Sequence, residues 1–331
     1  MGLAGTGRIG TTHAEILSKL DSVSSLVLAD AEPGRARDVA ARLHVEHVDN
    51  IDALFSSGID GLVVAAATDA HPELIIKAVD TGLPVFCEKP VAADIPGTLA
   101  VLDRIDGSGV PVQIGFQRRF DPGYASARKS VQSGELGWLH TLRATTLDPA
   151  PPPAEYIGRS GGLFRDCSVH DFDIIRWVTG REVREVYARG TNRGAGFFAE
   201  AGDVSTAAAM LMLDDDTIAL VSAARYNAAG YDVRLEVHGS AGSVSVGLDE
   251  RLPLTSAEPG VRMPSGSAYP GFMERFRPAY VRELEAFTRL VAGEAGSPCG
   301  AVDALEAFYI AEACQLSLRE HRPVELAEVR R

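Results

Sequence analysis

Over the first 116 residues, short aliphatic runs alternate with amphipathic stretches. The pattern predicts strands at 2–4, 25–30, 45–48, 61–67, 84–88 and 110–116, with helices at 13–20, 33–43, 51–56, 72–81 and 95–105 between them. The run Leu62-Val63-Val64-Ala65-Ala66-Ala67 is apolar throughout, as a strand buried on both faces should be. Strands that alternate with helices need crossover connections, which give a parallel sheet covered by helices.

After Phe116 the rhythm changes. A helix at 122–133 gives way to longer, alternating strands at 138–147, 183–190, 205–213, 217–225 and 233–246. Asp214-Asp215-Asp216 and Gly239-Ser240-Ala241-Gly242 read as hairpin turns, so the second sheet should be open and largely antiparallel. The segment 149–162 carries Pro149, Pro151, Pro152 and Pro153 and a Gly-Gly pair, and is expected to be irregular and to loop over a site. Helices return at 273–292 and 303–320. The pattern therefore divides the chain into an α/β domain at 1–118 and an α+β domain at 119–331.

The length of 331 residues agrees with two domains at about 100–200 residues each. Thirty-two Lys and Arg against 45 Asp and Glu give a net charge of -13, and there is no basic run, which argues against a nucleic-acid partner. Cys87, Cys167, Cys299 and Cys314 lack the close pairing of a zinc or thiol-redox site and suit a reducing compartment. No apolar run approaches the roughly 20 residues of a membrane span, and no leader pattern opens the chain, so a cytoplasmic protein without a membrane partner is expected.

Chemistry concentrates at a few points. Gly5-Thr6-Gly7-Arg8-Ile9-Gly10 follows a strand and opens a helix, the context of a Rossmann dinucleotide site: Gly5 permits the tight turn, Gly7 lets the backbone approach a pyrophosphate, and Gly10 lets helix pack on strand. Asp30 closes the next strand, where a carboxylate accepts from ribose hydroxyls and repels a 2′-phosphate, favouring NAD over NADP. Arg35 and Arg37 lie near enough to keep NADP as the alternative, and a plain strand-end Asp capping the helix near Pro33 is the simpler reading. Glu88-Lys89-Pro90 sits at a strand end where open α/β sheets bind ligands, although a solvated Lys there is equally ordinary.

Asp166 and His170 are four residues apart, so on a helix they share a face and can converge on one ligand, with His170 suited to take a proton near neutral pH. A surface pair, or a metal site with Asp173, competes with that reading; no fourth ligand is nominated, and no metal is expected.

Taken together, these motifs resemble the Gfo/Idh/MocA family of NAD(P)-dependent oxidoreductases over essentially the whole chain. The resemblance rests on Gly5 to Gly10, Thr68-Asp69-Ala70-His71, Glu88-Lys89-Pro90, Gly115-Phe116-Gln117-Arg118-Arg119-Phe120-Asp121, and Asp166 with His170. It implies an N-terminal Rossmann domain and a C-terminal substrate-binding and oligomerisation domain. It also implies that Lys89, Asp166 and His170 are catalytic, and that Gly5, Gly7, Arg8, Ile9, Gly10, Asp30, Thr68, His71, Glu88 and Lys89 line the cofactor. By residue type alone Thr68 is as well a helix N-cap and His71 a first-turn residue.

Within the family the inositol 2-dehydrogenases are most similar, through Gln117, Arg118 and Arg119 and through Gly230-Tyr231-Asp232, with Phe276 and Tyr280 in the late helix. Lys89, Gln117, Arg118, Asp148, Asp166, His170 and Tyr231 are then the implied substrate residues, although Tyr231 alone reads as a strand aromatic. Leu147 to Pro153 and the span 225–230 depart from the inositol pattern, and the first strand is short before Gly5. The expected function is NAD-dependent oxidation of a cyclic polyol such as myo-inositol. Alternatives are a pyranose sugar dehydrogenase, an NAD-dependent glycosidase and a cofactor-sensing regulator without catalysis. An open sheet face not covered by helices implies a homo-oligomer, dimer or tetramer.

Overall fold

The computed structural model describes residues 1–261, 264 and 266–330. Two compact units form, residues 1–117 with 278–305, and residues 118–277 with 306–331. The first cut falls within one residue of the expected boundary. The expected second span, 119–331, is itself divided, because 278–305 returns to the first unit. The Gln113 side-chain amide donates to the Glu283 carbonyl at 3.1 Å, Ile114 N donates to Cys299 O at 2.9 Å, and the Phe86 and Phe287 rings sit 5.9 Å apart. These long-range contacts leave no mark in local periodicity.

In the first unit the elements run β1 (Gly2–Ala4), α1 (Arg8–Leu17), β2 (Val27–Ala29), α2 (Pro33–Leu43), β3 (Glu46–His47), α3 (Ile51–Phe55), β4 (Leu62–Val64), α4 (His71–Asp80), β5 (Val85–Glu88), α5 (Ile95–Ile105) and β6 (Val112–Gly115). All pairings are parallel, in the order β3-β2-β1-β4-β5-β6. β1 and β4 are buried along their whole length, which is why they read as continuous apolar runs. Asn50 and Asp94 cap α3 and α5 by accepting from Ala53 N and Gly97 N. The strand order reverses between β1 and β4, so the turn after β1 opens at the point where such sheets bind ligands. α1 starts at Arg8, directly from the glycine turn, earlier than the predicted 13–20.

The second unit contains α6 (Pro122–Gln132), β7 (Leu139–Leu147), α7 (Ala154–Ile157), α8 (Val169–Thr179), β8 (Val183–Thr191), α9 (Phe197–Glu200), β9 (Thr206–Leu213), β10 (Ile218–Ala224), β11 (Asp232–Gly239), β12 (Ser243–Val246) and α10 (Phe272–Arg275). α11 (Arg277–Val291) and α12 (Ala301–Glu320) are shared with the first unit by sequence, and β13 (Val324–Glu325) closes the chain. The sheet order is β12-β11-β7-β10-β9-β8-β13, antiparallel except for β7 beside β10. Both expected hairpins are present, β9 to β10 and β11 to β12.

Two expectations change. The segment 149–162 is not wholly irregular, since Ala-Glu-Tyr-Ile after the last proline forms the single turn α7. The helix expected at 273–292 is interrupted at Phe276, whose buried ring follows α10.

Candidate active site

In the first unit the glycine turn is built as the spacing requires. Gly5 has φ +96°, and a Cβ there would lie 2.5 Å from Ala66 Cα. A Cβ on Gly10 would meet Gly5 O at 1.9 Å, so α1 can lie on the turn only because Gly10 has no side chain. A Cβ on Gly7, by contrast, would meet nothing within 4 Å. Gly7 is also the N-cap of α1 and offers no side-chain acceptor to the first-turn amides. Open space over Gly7 and a positive helix end behind it fit a dinucleotide pyrophosphate. Arg8 is exposed and Ile9 half-buried at the first turn.

Asp30 is buried and turned onto this loop. Its Oδ2 accepts from Thr6 N at 2.6 Å and Thr6 Oγ1 at 2.9 Å, and its Oδ1 accepts from Glu32 N at 2.9 Å. Burial raises the carboxyl pKa, but the hydrogen bonds from Glu32 and Thr6 outweigh it and hold the group below its ordinary value. Asp30 therefore ties the end of β2 to the glycine turn, a duty beyond the ribose contact expected of it, and it is not the cap of α2, whose N-cap is Glu32.

Thr68 opens a 3-10 turn, Thr68–Ala70, and makes no side-chain cap there or at α4. His71 is buried at the start of α4, with Nδ1 2.7 Å from Pro90 O and Nε2 3.1 Å from Ala66 O. Its ring thus joins the end of β4 to the loop that carries Lys89, and both of its nitrogens face the main chain. Glu88 closes β5 with Oε1 2.6 Å from His13 Nε2, on a fully buried ring of α1 packed edge-on against Phe86 and Tyr280. Lys89 follows it, half-buried. Gln117, buried, ends the first of the two stretches that make up this unit.

In the second unit Asp166 lies in a π-helical turn, Phe164–Ser168, which runs directly into α8, and His170 is the second residue of α8. Such π turns are frequent at functional sites. Both Asp166 oxygens are engaged: Tyr156 of α7 donates to Oδ1 at 2.8 Å and Arg225 donates to Oδ2 at 2.6 Å. Burial, then the Asp166 charge, pushes the Tyr156 phenol up, so it stays a donor. Asp148 follows β7 and accepts from Arg225 at 3.0 Å. Asp148 and Asp166, both expected at the substrate, are thus brought together on one guanidinium. Tyr231 is buried, with its ring against Phe272 and Phe276, and burial raises its phenol pKa.

Arg118, another residue expected at the substrate, is only 2% exposed: it pairs with Asp171 through Nη1 and donates to Thr146 Oγ1 at 2.9 Å through Nη2, so it supports the start of α8. Arg119 likewise donates through Nε to Asp173 at 3.0 Å, which gives Asp173 a cation for a partner. Among the described residues no three His, Cys, Asp or Glu form a group able to hold a metal ion.

Three residues of these networks escaped sequence reasoning. His13 is one of several buried positions on α1, and nothing local marks it. Tyr156 was hidden by the prolines before it. Arg225 did leave a signal: it continues the inward series Ala219, Val221, Ala223, where a charge is out of place.

Comparison with known proteins matches residues 1–116 to the oxidoreductase family with an NAD-binding Rossmann fold, and residues 124–245 to the GFO/IDH/MocA C-terminal domain. The chain is 40% identical over 299 residues to the myo-inositol dehydrogenase of Streptomyces leeuwenhoekii, with 89% of each chain covered. It is 34% identical over 333 residues to the myo-inositol 2-dehydrogenase of Thermotoga maritima, with 99% of each covered. Among solved structures, the scyllo-inositol dehydrogenase of Lactobacillus casei with bound NAD(H) and scyllo-inositol is similar with a TM-score of 0.89 and 31% identity, covering 98% of each chain.

Proposed function

The chain belongs to the GFO/IDH/MocA oxidoreductase family, and from that premise we propose that it oxidises a ring hydroxyl of an inositol, myo-inositol in the first instance, to the 2-keto product with NAD. The observation that carries the reading is the full-length similarity to dehydrogenases named for myo- and scyllo-inositol, in a chain whose glycine turn has the open space and helix end that a dinucleotide needs.

NAD, when bound, supplies a hydride acceptor at its nicotinamide ring. The chain supplies the proton chemistry and the orientation. As the carbinol C–H bond breaks with its electron pair leaving as hydride, the imidazole of His170 takes the hydroxyl proton and the C–O bond becomes a carbonyl. Asp166, whose oxygens accept from Arg225 and Tyr156, is assigned to accept a hydrogen bond from the substrate beside His170. Lys89 donates to substrate hydroxyls, and Gln117, Asp148 and Tyr231 are assigned to the same polyol. Gly5, Gly7, Arg8, Ile9, Gly10, Thr68, His71 and Glu88 shape and brace the cofactor side.

NAD is preferred over NADP because the Asp30 carboxylate closes β2, where a 2′-phosphate would meet negative charge; Arg35, 3.5 Å from Asp30, is partly neutralised by Glu32. A homo-oligomer is inferred from the open face of the second sheet, where Met210 and Leu220 are 39% and 41% exposed on neighbouring strands. All four cysteines are buried and free, which supports a reducing compartment such as the cytoplasm.

The test is reduced-cofactor formation with NAD and NADP across myo-inositol, scyllo-inositol, glucose, galactose and xylose, by the unaltered protein and by Lys89→Ala and His170→Ala. Inositols with NAD should be turned over, and each variant should lose about 100-fold or more in kcat with NADH binding retained. Turnover of the pyranoses alone would move the protein to the sugar dehydrogenases.

A further inference from the structure

In the second unit a buried cation stands where the alternation of its strand calls for an apolar side chain. Arg225 lies one residue past β10, in line with the inward Ala219, Val221 and Ala223, and is 3% exposed. Burial of a guanidinium is costly unless its charge is paired and its N–H groups are bonded. Here the pairing is with two carboxylates: Nη1 donates to Asp148 Oδ2 and Nη2 donates to Asp166 Oδ2. The main chain is aligned for this, because Asp148 N donates to Ala224 O at 2.8 Å and Arg225 N donates to Ser205 O at 2.8 Å. One flat group therefore links the end of β7, the end of β10 and the π turn before α8. Tyr156 reaches Asp166 from its other side, and Cys167 Sγ lies 3.6 Å from Asp148 Oδ2.

We propose that Arg225 is a positioning residue for polyol oxidation, a clamp that fixes the spacing and direction of Asp148 and Asp166 so that both accept hydroxyls of one substrate. The inference rests on the proposed function above. The two terminal nitrogens of a guanidinium are fixed in one plane, so an oxygen bound to each is fixed relative to the other. A Lys ammonium is a point charge on a flexible stem and cannot impose that spacing. Without any cation, two half-buried carboxylates repel and turn apart. Each carboxylate oxygen has more than one acceptor site, so the bonds to Arg225 leave capacity for substrate hydroxyls.

The experiment compares unaltered protein, Arg225→Lys and Arg225→Ala with NAD and myo-inositol, with and without millimolar methylguanidinium. Misplacing the acceptors should cut kcat/KM by about 100-fold in both variants while NADH binding, read by fluorescence, is unchanged. Methylguanidinium should restore Arg225→Ala saturably, and should not restore Arg225→Lys, whose side chain fills the space. An Arg225→Lys enzyme within about twofold of normal kcat/KM, or a folded Arg225→Ala that methylguanidinium leaves inactive, overturns the clamp.

A second measurement needs no turnover. Adding Asp148→Asn and Asp166→Asn to Arg225→Met should raise Tm above that of Arg225→Met alone, because the stranded like charges are removed; no rise overturns the clamp. If the unaltered protein is inactive on every inositol, the functional reading fails while this Tm comparison still decides the clamp.

Discussion

Gly7 and Gly10 are one helical turn apart, yet a methyl group has different consequences at each. At Gly10 it would collide with Gly5 O, whereas at Gly7 it would enter open space. Gly10→Ala should therefore lower folding stability by about 3 kcal/mol, at the severe end of overpacking, whereas Gly7→Ala should keep its Tm and weaken NADH binding. Paired thermal melts and NADH titrations check this, and a Gly7→Ala protein with unchanged NADH affinity would show that no phosphate approaches there. These glycines were legible in the sequence because a missing side chain has few meanings at that spacing. Direction was not legible. The family resemblance implied ligand roles for Arg118 and His71, while the Arg118 guanidinium turns to Asp171 and Thr146 and both ring nitrogens of His71 face main-chain carbonyls. A side chain with several donors does not announce which acceptors it will meet.

At the scale of elements, the turn that carries Asp166 and the helix that carries His170 are braced by the buried Arg118–Asp171 pair. Burial pushes the Asp171 carboxyl up against the opposing pull of Arg118 and Thr146, so the pair is a costly one to break. Asp171→Ala strands the guanidinium and should cost about 3–5 kcal/mol in urea unfolding; a loss under about 1 kcal/mol would mean that the brace carries little. The strands of the first sheet were readable from short aliphatic runs, and the strands and hairpins of the second from alternation and turn residues. The π turn was not, because a four-residue spacing looks the same whether the helix is tight or wide. α7 was masked by the prolines before it, although Pro153 serves as its N-cap.

At the scale of the whole chain, a parallel sheet covered by helices followed from alternating strands and helices, whereas its strand order β3-β2-β1-β4-β5-β6 and the return of 278–305 to the first unit did not. That return depends on contacts such as Gln113 to Glu283 between residues far apart in sequence. The exposed face around Met210 and Leu220 leads to a prediction at the same scale. Light scattering should find an oligomer, and Met210→Glu with Leu220→Glu should shift it towards monomer; a monomer in the unaltered protein would contradict the assignment.

The central claim is that a hydride leaves C2 of myo-inositol for NAD. It is tested most directly by supplying myo-inositol deuterated at C2 and weighing the reduced cofactor. The account predicts NADH that carries the deuterium together with a keto-inositol product. NADH without deuterium, or none formed from any inositol, would contradict it.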